Sequence, residues 1–485
     1  MGLPQTLIYA HSLVKVAVIV DLHAAEMKLR SLQWVQSRFN SNSAHQTATS
    51  ILKPPLLDIA RIVENPAAIE QNCIARSLPK LASTVPEIVK ANRRRLSLIQ
   101  ARSPLQLRRH IIHKQLRSIK NQEKRISLGK EAVSIKNQLA PILAEENETI
   151  KRLNALVAEL PNFTHPQVPH VETEIRKIGS LQEKGGVKDH VEIAESLNLL
   201  DIQMAAKTTG HAWYYLKGMG VQLELALISY AIEMAVRHGW KLVKPPDVVR
   251  TELALACGFH PRDQRGDQIY QLANVAIGDA GADVDQGTLC LSGTAEIPLA
   301  AMHLDTIFKE TELPVKYVGL GTAYRAEAGS RGRESRGLYR VHQFTKVELF
   351  AWTEQGKSDQ MLEEILKLQE QIIEGLGLHA RILDMPADEL GNAAYRKYDI
   401  EAWMYGRQAW GEVTSASNCT DYQSRRLGTR YRRRDAKVLH AHTLNGTAMA
   451  VPRMIIAILE SGLRNDGSVE IPAPLQKFIG ADLIR

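Results

Sequence analysis

Cysteine is scarce in this chain. Four stand among 485 residues, Cys73, Cys257, Cys290 and Cys419, with no CxxC among them. Such spacing excludes a disulfide framework or a structural zinc site built from them and suits reduced, intracellular thiols. No apolar run approaches the roughly 20 residues that span a bilayer, so no membrane partner is expected. Between Lys28 and Lys53 there is no acidic residue at all.

What that acid-free stretch does contain is Lys28, Arg30 and Arg38 spread among Leu, Trp and Phe, with Ser and Thr crowding its second half. This is the composition of a mitochondrial presequence. It predicts a matrix protein whose translation starts at Met27 and whose leader is removed further on, which N-terminal sequencing of the mature protein checks. The alternative is a disordered tail on a cytoplasmic protein. The remainder, 44% hydrophobic and 24% charged, is ordinary for a soluble globular chain of two or three domains. A net charge of +8 permits an anionic partner without naming one.

Leu56–Arg76 reads as a short helix broken at Pro66. Across Pro86–Leu160, apolar residues recur at three-to-four spacing through Leu116, Ile119, Ile126, Val133, Leu139, Ile142, Ile150, Leu153, Val157 and Leu160. That pattern predicts two long helices packed on each other, reversing between Ile126 and Val133 near Gly129. Pro104 and Pro141 are expected to kink or interrupt them. Ala91–Lys130 carries twelve Lys/Arg against Glu123 alone, whereas Glu131–Leu160 carries three basic and five acidic residues. Solubility needs no such imbalance; a phosphate backbone would. A solvated basic face is the plainer alternative.

Gly319–Trp352 reads as a long antiparallel hairpin around a polar loop, Glu327–Gly337. In its return strand Arg340, His342, Phe344, Lys346 and Glu348 share one face, because side chains alternate along a strand. That face offers cations, an aromatic plate and a carboxylate. Arg331, Arg333 and Arg336 in the loop are forked donors suited to phosphate. A nucleotide over the hairpin accounts for all of these, and a solvated hairpin is the alternative. Upstream, Thr294 and Glu296 stand two apart in LSGTAEIPLAAMH, on one side of an extended segment. A carboxylate there can pair an ammonium and a hydroxyl can bind a small polar substrate; taken alone, the same letters are a helix N-cap signal. Arg453 follows Pro452 at a helix start, where the dipole attracts anions.

The order of these blocks resembles a family. YRAE, a basic loop and RxHQFxKVE are similar to motif 2 of class II aminoacyl-tRNA synthetases, and in detail to the seryl-tRNA synthetases. Thr294 lies 31 residues before Arg325, and Arg325 lies 23 before Glu348, as that family requires. Leu216–Trp240 with KLVKPPDVVR resembles motif 1, and His442–Ser461 resembles motif 3. Gly411–Arg432 resembles the family's E-[IV]-[ST]-S-x-SN segment.

The resemblance implies an α+β fold: a class II antiparallel sheet flanked by helices, preceded by a long two-helix antiparallel coiled-coil arm. Its domains would be a presequence or disordered extension at 1–54, a tRNA-binding arm at 55–165 and a catalytic domain at 166–485. It implies ATP as substrate and Mg²⁺ held by Glu412 and Ser415. Arg325, Glu348 and Arg453 would be catalytic. Thr294, Glu296, Glu348, Asn418 and Thr447 would bind L-serine, with Glu348 reading its hydroxyl. Arg325, Glu327, Phe344, Glu412, Val413, Thr414, Ser415 and Arg453 would hold ATP, Phe344 by stacking on adenine. The partners would be tRNA(Ser), gripped by the basic arm, and a second copy of the chain in a homodimer. The rivals are an inactive paralogue that only binds RNA, and a synthetase for another amino acid such as threonine.

Overall fold

In the computed structural model, which describes residues 52, 55–181, 188–259, 268–272, 288–327 and 337–485, Pro66 ends one helix and begins the next. Helix α1 (Ile59–Glu64) is capped by Asp58, and α2 (Pro66–Ala75) by Asn65, whose side chain accepts the Ala68 N–H. Residues 1–51, 53 and 54, which hold the expected presequence, lie outside the described residues, as do Arg331, Arg333 and Arg336.

Two helices then run antiparallel, α3 (Val85–Ser118) and α4 (Gln122–Glu159). The chain reverses at Ile119–Asn121, not near Gly129, because the Asn121 side chain caps α4 by accepting the Lys124 N–H at 3.0 Å. This earlier turn shifts the interhelical seam. Ile126 and Val133 are 54% and 58% exposed, while Ile112, Ile135 and Leu139 are buried between the helices. Pro104 and Pro141 do not interrupt either helix. An internal proline costs about 3 kcal/mol or more, and each buried Leu or Ile contributes about 1.5–3 kcal/mol, so the seam can carry both.

The body is an eight-stranded sheet. Its strands in chain order are β1 (Thr173–Ile178), β2 (Lys241–Val243), β3 (Val315–Tyr324), β4 (Gln343–Thr353), β5 (Ala380–Asp384), β6 (Arg396–Met404), β7 (Ala409–Thr420) and β8 (His442–Ala450). They lie in the order β1-β5-β6-β7-β8-β4-β3-β2. All neighbours are antiparallel except the edge pair β2 and β3. The central strands are buried on both faces: α5 (Met219–Arg237), α6 (Ser358–Gly375) and α7 (Val451–Gly462) cover one, and a second apolar cluster holding Phe350 and Trp352 lies on the other. Helix α5 is long and apolar enough to cross a membrane by composition, yet Leu223, Leu227, Tyr230 and Ala235 pack it into this core. Pro245 and Pro246 end β2 and divert the chain into a separate small sheet, since proline cannot donate to a ladder.

Candidate active site

The hairpin β3–β4 pairs Glu348 with Gly319 and Gln343 with Tyr324. The return strand begins at Gln343, so Arg340 and His342 precede it; Arg340 still lines the same hollow as Phe344 and Lys346, whereas His342 turns to the loop. Both brace the loop ends. Arg340 pairs with Glu327 at 3.2 Å. The His342 Nδ1 lies 2.8 Å from the Tyr270 hydroxyl and 3.0 Å from the Arg325 carbonyl, and Trp213 stacks on its ring. A second brace is His190, buried, whose Nε2 accepts the Leu338 N–H while Nδ1 donates to Glu460 of α7. Gly337, at φ +67°, fits against it because a Cβ there would meet His190 Nε2 at 2.1 Å.

Two hollows meet at Arg325. One is lined by Glu327, Tyr339, Phe344, Lys346, Glu412, Val413, Thr414, Ser415, Thr447 and Arg453. Glu412 and Ser415 are three apart, which in a regular strand would set them on opposite faces. The register shift opposite Ile400–Glu401 inserts Val413 as an extra residue and brings both to the hollow. Burial pushes the Glu412 carboxyl up, but Arg453, Lys397 and Arg325 outweigh it and hold the pKa at about 2. Arg453 pairs with Glu412 at 3.2 Å and lies over the Tyr339 ring. Arg325 lies 5.4 Å from the Phe344 ring centroid and forms no ion pair among the described residues. Burial, then the Arg453 charge, lower its pKa. Two cations repelling across one hollow are a site for an anion. The Thr414 hydroxyl is turned away, donating to the Thr447 carbonyl and accepting from Gln369 of α6.

The other hollow holds Glu296, Asn445, Ser417, Lys397, Cys419 and the loop Gly391–Ala394. Thr294 and Glu296 do not share an extended segment. Glu296 opens a short helix, Glu296–Ala301, and its N–H donates to Thr294 Oγ1 at 3.3 Å, so the helix-start reading of SGTAE describes the backbone. Glu296 lines this hollow, and Thr294, which lines neither, contacts Lys346 of the first hollow. Glu296 accepts from Gln423 at 2.6 Å and Asn445 at 2.9 Å. Burial, and then Glu348, raise its pKa to about 7. Lys346 bridges Glu348 at 2.5 Å and Thr294 at 3.4 Å, all three buried. Asn418 faces the other way, donating to Asp359 at 3.0 Å, because Ser417 and Cys419 on either side of it take the cleft face. Asn445 is the asparagine in the cleft. Nothing in its Asn-Gly context distinguished it, and Gln423 was equally hidden, whereas Lys346 stands in the cleft as the strand alternation placed it.

Comparison with known proteins identifies the family. Residues 56–164 match the seryl-tRNA synthetase N-terminal domain, and 281–462 match the tRNA synthetase class II core domain (G, H, P, S and T). The chain is 44% identical over 444 residues to the mitochondrial serine–tRNA ligase of Schizosaccharomyces pombe, covering 89% of this chain and 91% of that one. The chain belongs to the seryl-tRNA synthetases, class II enzymes that join serine to tRNA. The serine–tRNA ligase of Rubrobacter xylanophilus is 41% identical over 436 residues, 88% of this synthetase and 99% of the bacterial one. The crystal structure of seryl-tRNA synthetase from Pyrococcus horikoshii complexed with ATP superposes with a TM-score of 0.78 at 33% identity, covering 88% and 99% of the two chains. The class II sheet and the helical N-terminal region are thus common to this synthetase and its relatives.

Proposed function

We propose that this synthetase activates L-serine with ATP and transfers it to tRNA(Ser), in the mitochondrial matrix. The observation that carries the reaction is the convergence of Arg325 and Arg453 on one hollow, with a carboxylate-lined hollow beside it. In the reading they support, the serine carboxylate attacks the α-phosphorus of ATP, and pyrophosphate leaves. The tRNA terminal hydroxyl then attacks the adenylate carbonyl and releases AMP. Neither step uses a protein nucleophile; the residues position the reactants and neutralise charge. Arg325 holds the α-phosphate, Arg453 the γ-phosphate, Glu327 the adenine amino group, and Phe344 stacks on the ring. Glu296 pairs the serine ammonium, with Asn445 in the place expected of Asn418, and Glu348 reads the hydroxyl.

Mg²⁺ fits the first hollow, where an ionised Glu412 stands beside Ser415. An oxygen pair suits a cation that keeps waters and takes its other ligands from phosphates, and bound there it would neutralise phosphate charge. Val413 and Thr414 shape the backbone between these two.

The arm is the tRNA-binding element in this reading. Arg109, His113 and Arg117 recur at i, i+4 on exposed α3, a stripe that suits a phosphate backbone and reads RNA by shape. Arg109→Glu with Arg117→Glu is expected to raise the KM for tRNA by about tenfold or more, since each lost phosphate contact weakens binding. Serine-dependent ATP–pyrophosphate exchange, measured alongside, should be unchanged. The same exchange with threonine and alanine as controls tests the amino acid: a site that pairs the hydroxyl rejects alanine, which leaves those partners unpaired.

A homodimer is supported by exposed apolar side chains on the body: Leu225 on α5 and Leu242 on the edge strand β2 are 58% and 53% exposed. Sedimentation should give the mass of two chains. The matrix location rests on the acid-free 28–53 stretch and on the mitochondrial name of the S. pombe relative.

A further inference from the structure

The loop Gly391–Ala394 forms one wall of the hollow that contains Glu296 and Asn445. It is irregular backbone, so its carbonyls have no ladder partners; the Gly391 carbonyl accepts the Ala394 N–H within the loop at 3.0 Å, and the other donors come from outside it. Those donors come from the root of the arm. Arg76, at the end of α2 and 3% exposed, donates Nη1 to the Gly391 carbonyl at 3.1 Å and Nη2 to that of Ala394 at 2.5 Å. Asn162, just past α4, donates its backbone N–H to Asn392 at 2.7 Å and its amide to Ala393 at 2.8 Å. Four consecutive carbonyls are thus held by two buried residues from the far end of the chain. His165 N–H takes the next one, Tyr395, at 2.9 Å.

The grip is itself braced. Arg76 Nε donates to Thr164 Oγ1, and its guanidinium also donates to the Phe163 carbonyl. The Asn162 amide reaches the carbonyl of Cys419, another residue of the same hollow. Among the described residues, none from the arm root lines the hollow of Phe344, Glu412 and Arg453.

We propose that Arg76 and Asn162 are positioning residues for serine: the root of the RNA-binding arm sets one wall of the amino-acid pocket. A wall displaced by even a fraction of an ångström loosens the substrate's fit. Movement of the arm on its RNA is thereby felt where serine binds. The inference rests on the assignment of this hollow to serine.

The test uses the full chain in ATP–pyrophosphate exchange without tRNA, with Arg76→Lys and Asn162→Asp. Lysine keeps the charge but lacks the fork that spans Gly391 and Ala394; aspartate keeps the shape but cannot donate. Both should raise the KM for serine about tenfold and leave the KM for ATP unchanged, a split that general unfolding would not produce. Serine KM unchanged in both variants, or the two KM values rising together, overturns the proposal. Glu296→Gln is run in parallel. If it too leaves the serine KM unmoved, the pocket assignment fails and the inference with it. If it alone raises the serine KM, the assignment stands and the coupling does not.

Discussion

Arg325→Ala is expected to reduce serine-dependent ATP–pyrophosphate exchange by on the order of a thousandfold or more, the loss that follows removal of a preorganised charge at a transition state. The fold should survive. The Arg325 side chain donates to the Gly293 carbonyl at 3.2 Å and forms no ion pair among the described residues, so little structure depends on it. Its guanidinium shares the hollow with Arg453, whose charge helps lower its pKa, and in the proposed reading a phosphate offsets that repulsion. Arg325→Lys should recover part of the rate, since it restores a point charge without the planar fork that grips two phosphate oxygens. Circular dichroism and a melting curve checked beside the exchange rate separate catalysis from folding. Exchange above about a tenth of the wild-type rate in Arg325→Ala would remove Arg325 from the catalytic role.

The second large effect belongs to Glu296. Its pKa of about 7 reflects burial first and the nearby Glu348 second, opposed by Gln423, Lys346 and Arg325. The carboxyl is therefore partly protonated at neutral pH before serine arrives. Pairing the substrate ammonium requires the ionised form, so the KM for serine should rise as pH falls below about 7, by up to about tenfold per unit. Glu296→Gln keeps the shape and the Asn445 contact but cannot ionise. It should raise the serine KM about a hundredfold, as expected when a buried ammonium loses its counter-charge, and flatten the pH profile. A profile in Glu296→Gln with the wild-type slope would assign the titration to another group.

Stability moves the opposite way. A carboxyl whose folded pKa is raised binds its proton more tightly in the folded state than in the unfolded one, so its contribution is fully present below pH 4.5 and is lost as pH rises through 7. If Glu296 pairs the serine ammonium as proposed, serine should raise the melting temperature more at pH 7.5 than at pH 6.

Much of this protein was legible from one dimension. The spacing from Thr294 to Arg325 and Glu348, the basic first helix and the proline that splits β2 from the next strand are properties of covalent order. Helical periodicity announced α3 and α4, because a buried stripe must repeat at the helical pitch wherever the turn falls. The location of the turn was not announced. Asn121 capped the second helix earlier than the glycine suggested, and a capping hydrogen bond is one contact among many candidate polar residues.

Three matters were decided by tertiary structure alone. Which asparagine enters the cleft depends on β7 and β8 lying side by side, which turns Asn418 to α6 and Asn445 to Glu296. That Glu412 and Ser415 share a hollow depends on one inserted residue that strand alternation cannot foresee. That Arg76 touches a loop more than three hundred residues away depends on where the arm is rooted. Local order sets what each segment can form; the partners of buried polar groups are chosen when segments distant in sequence meet, and there the pocket acquires its charge and its walls.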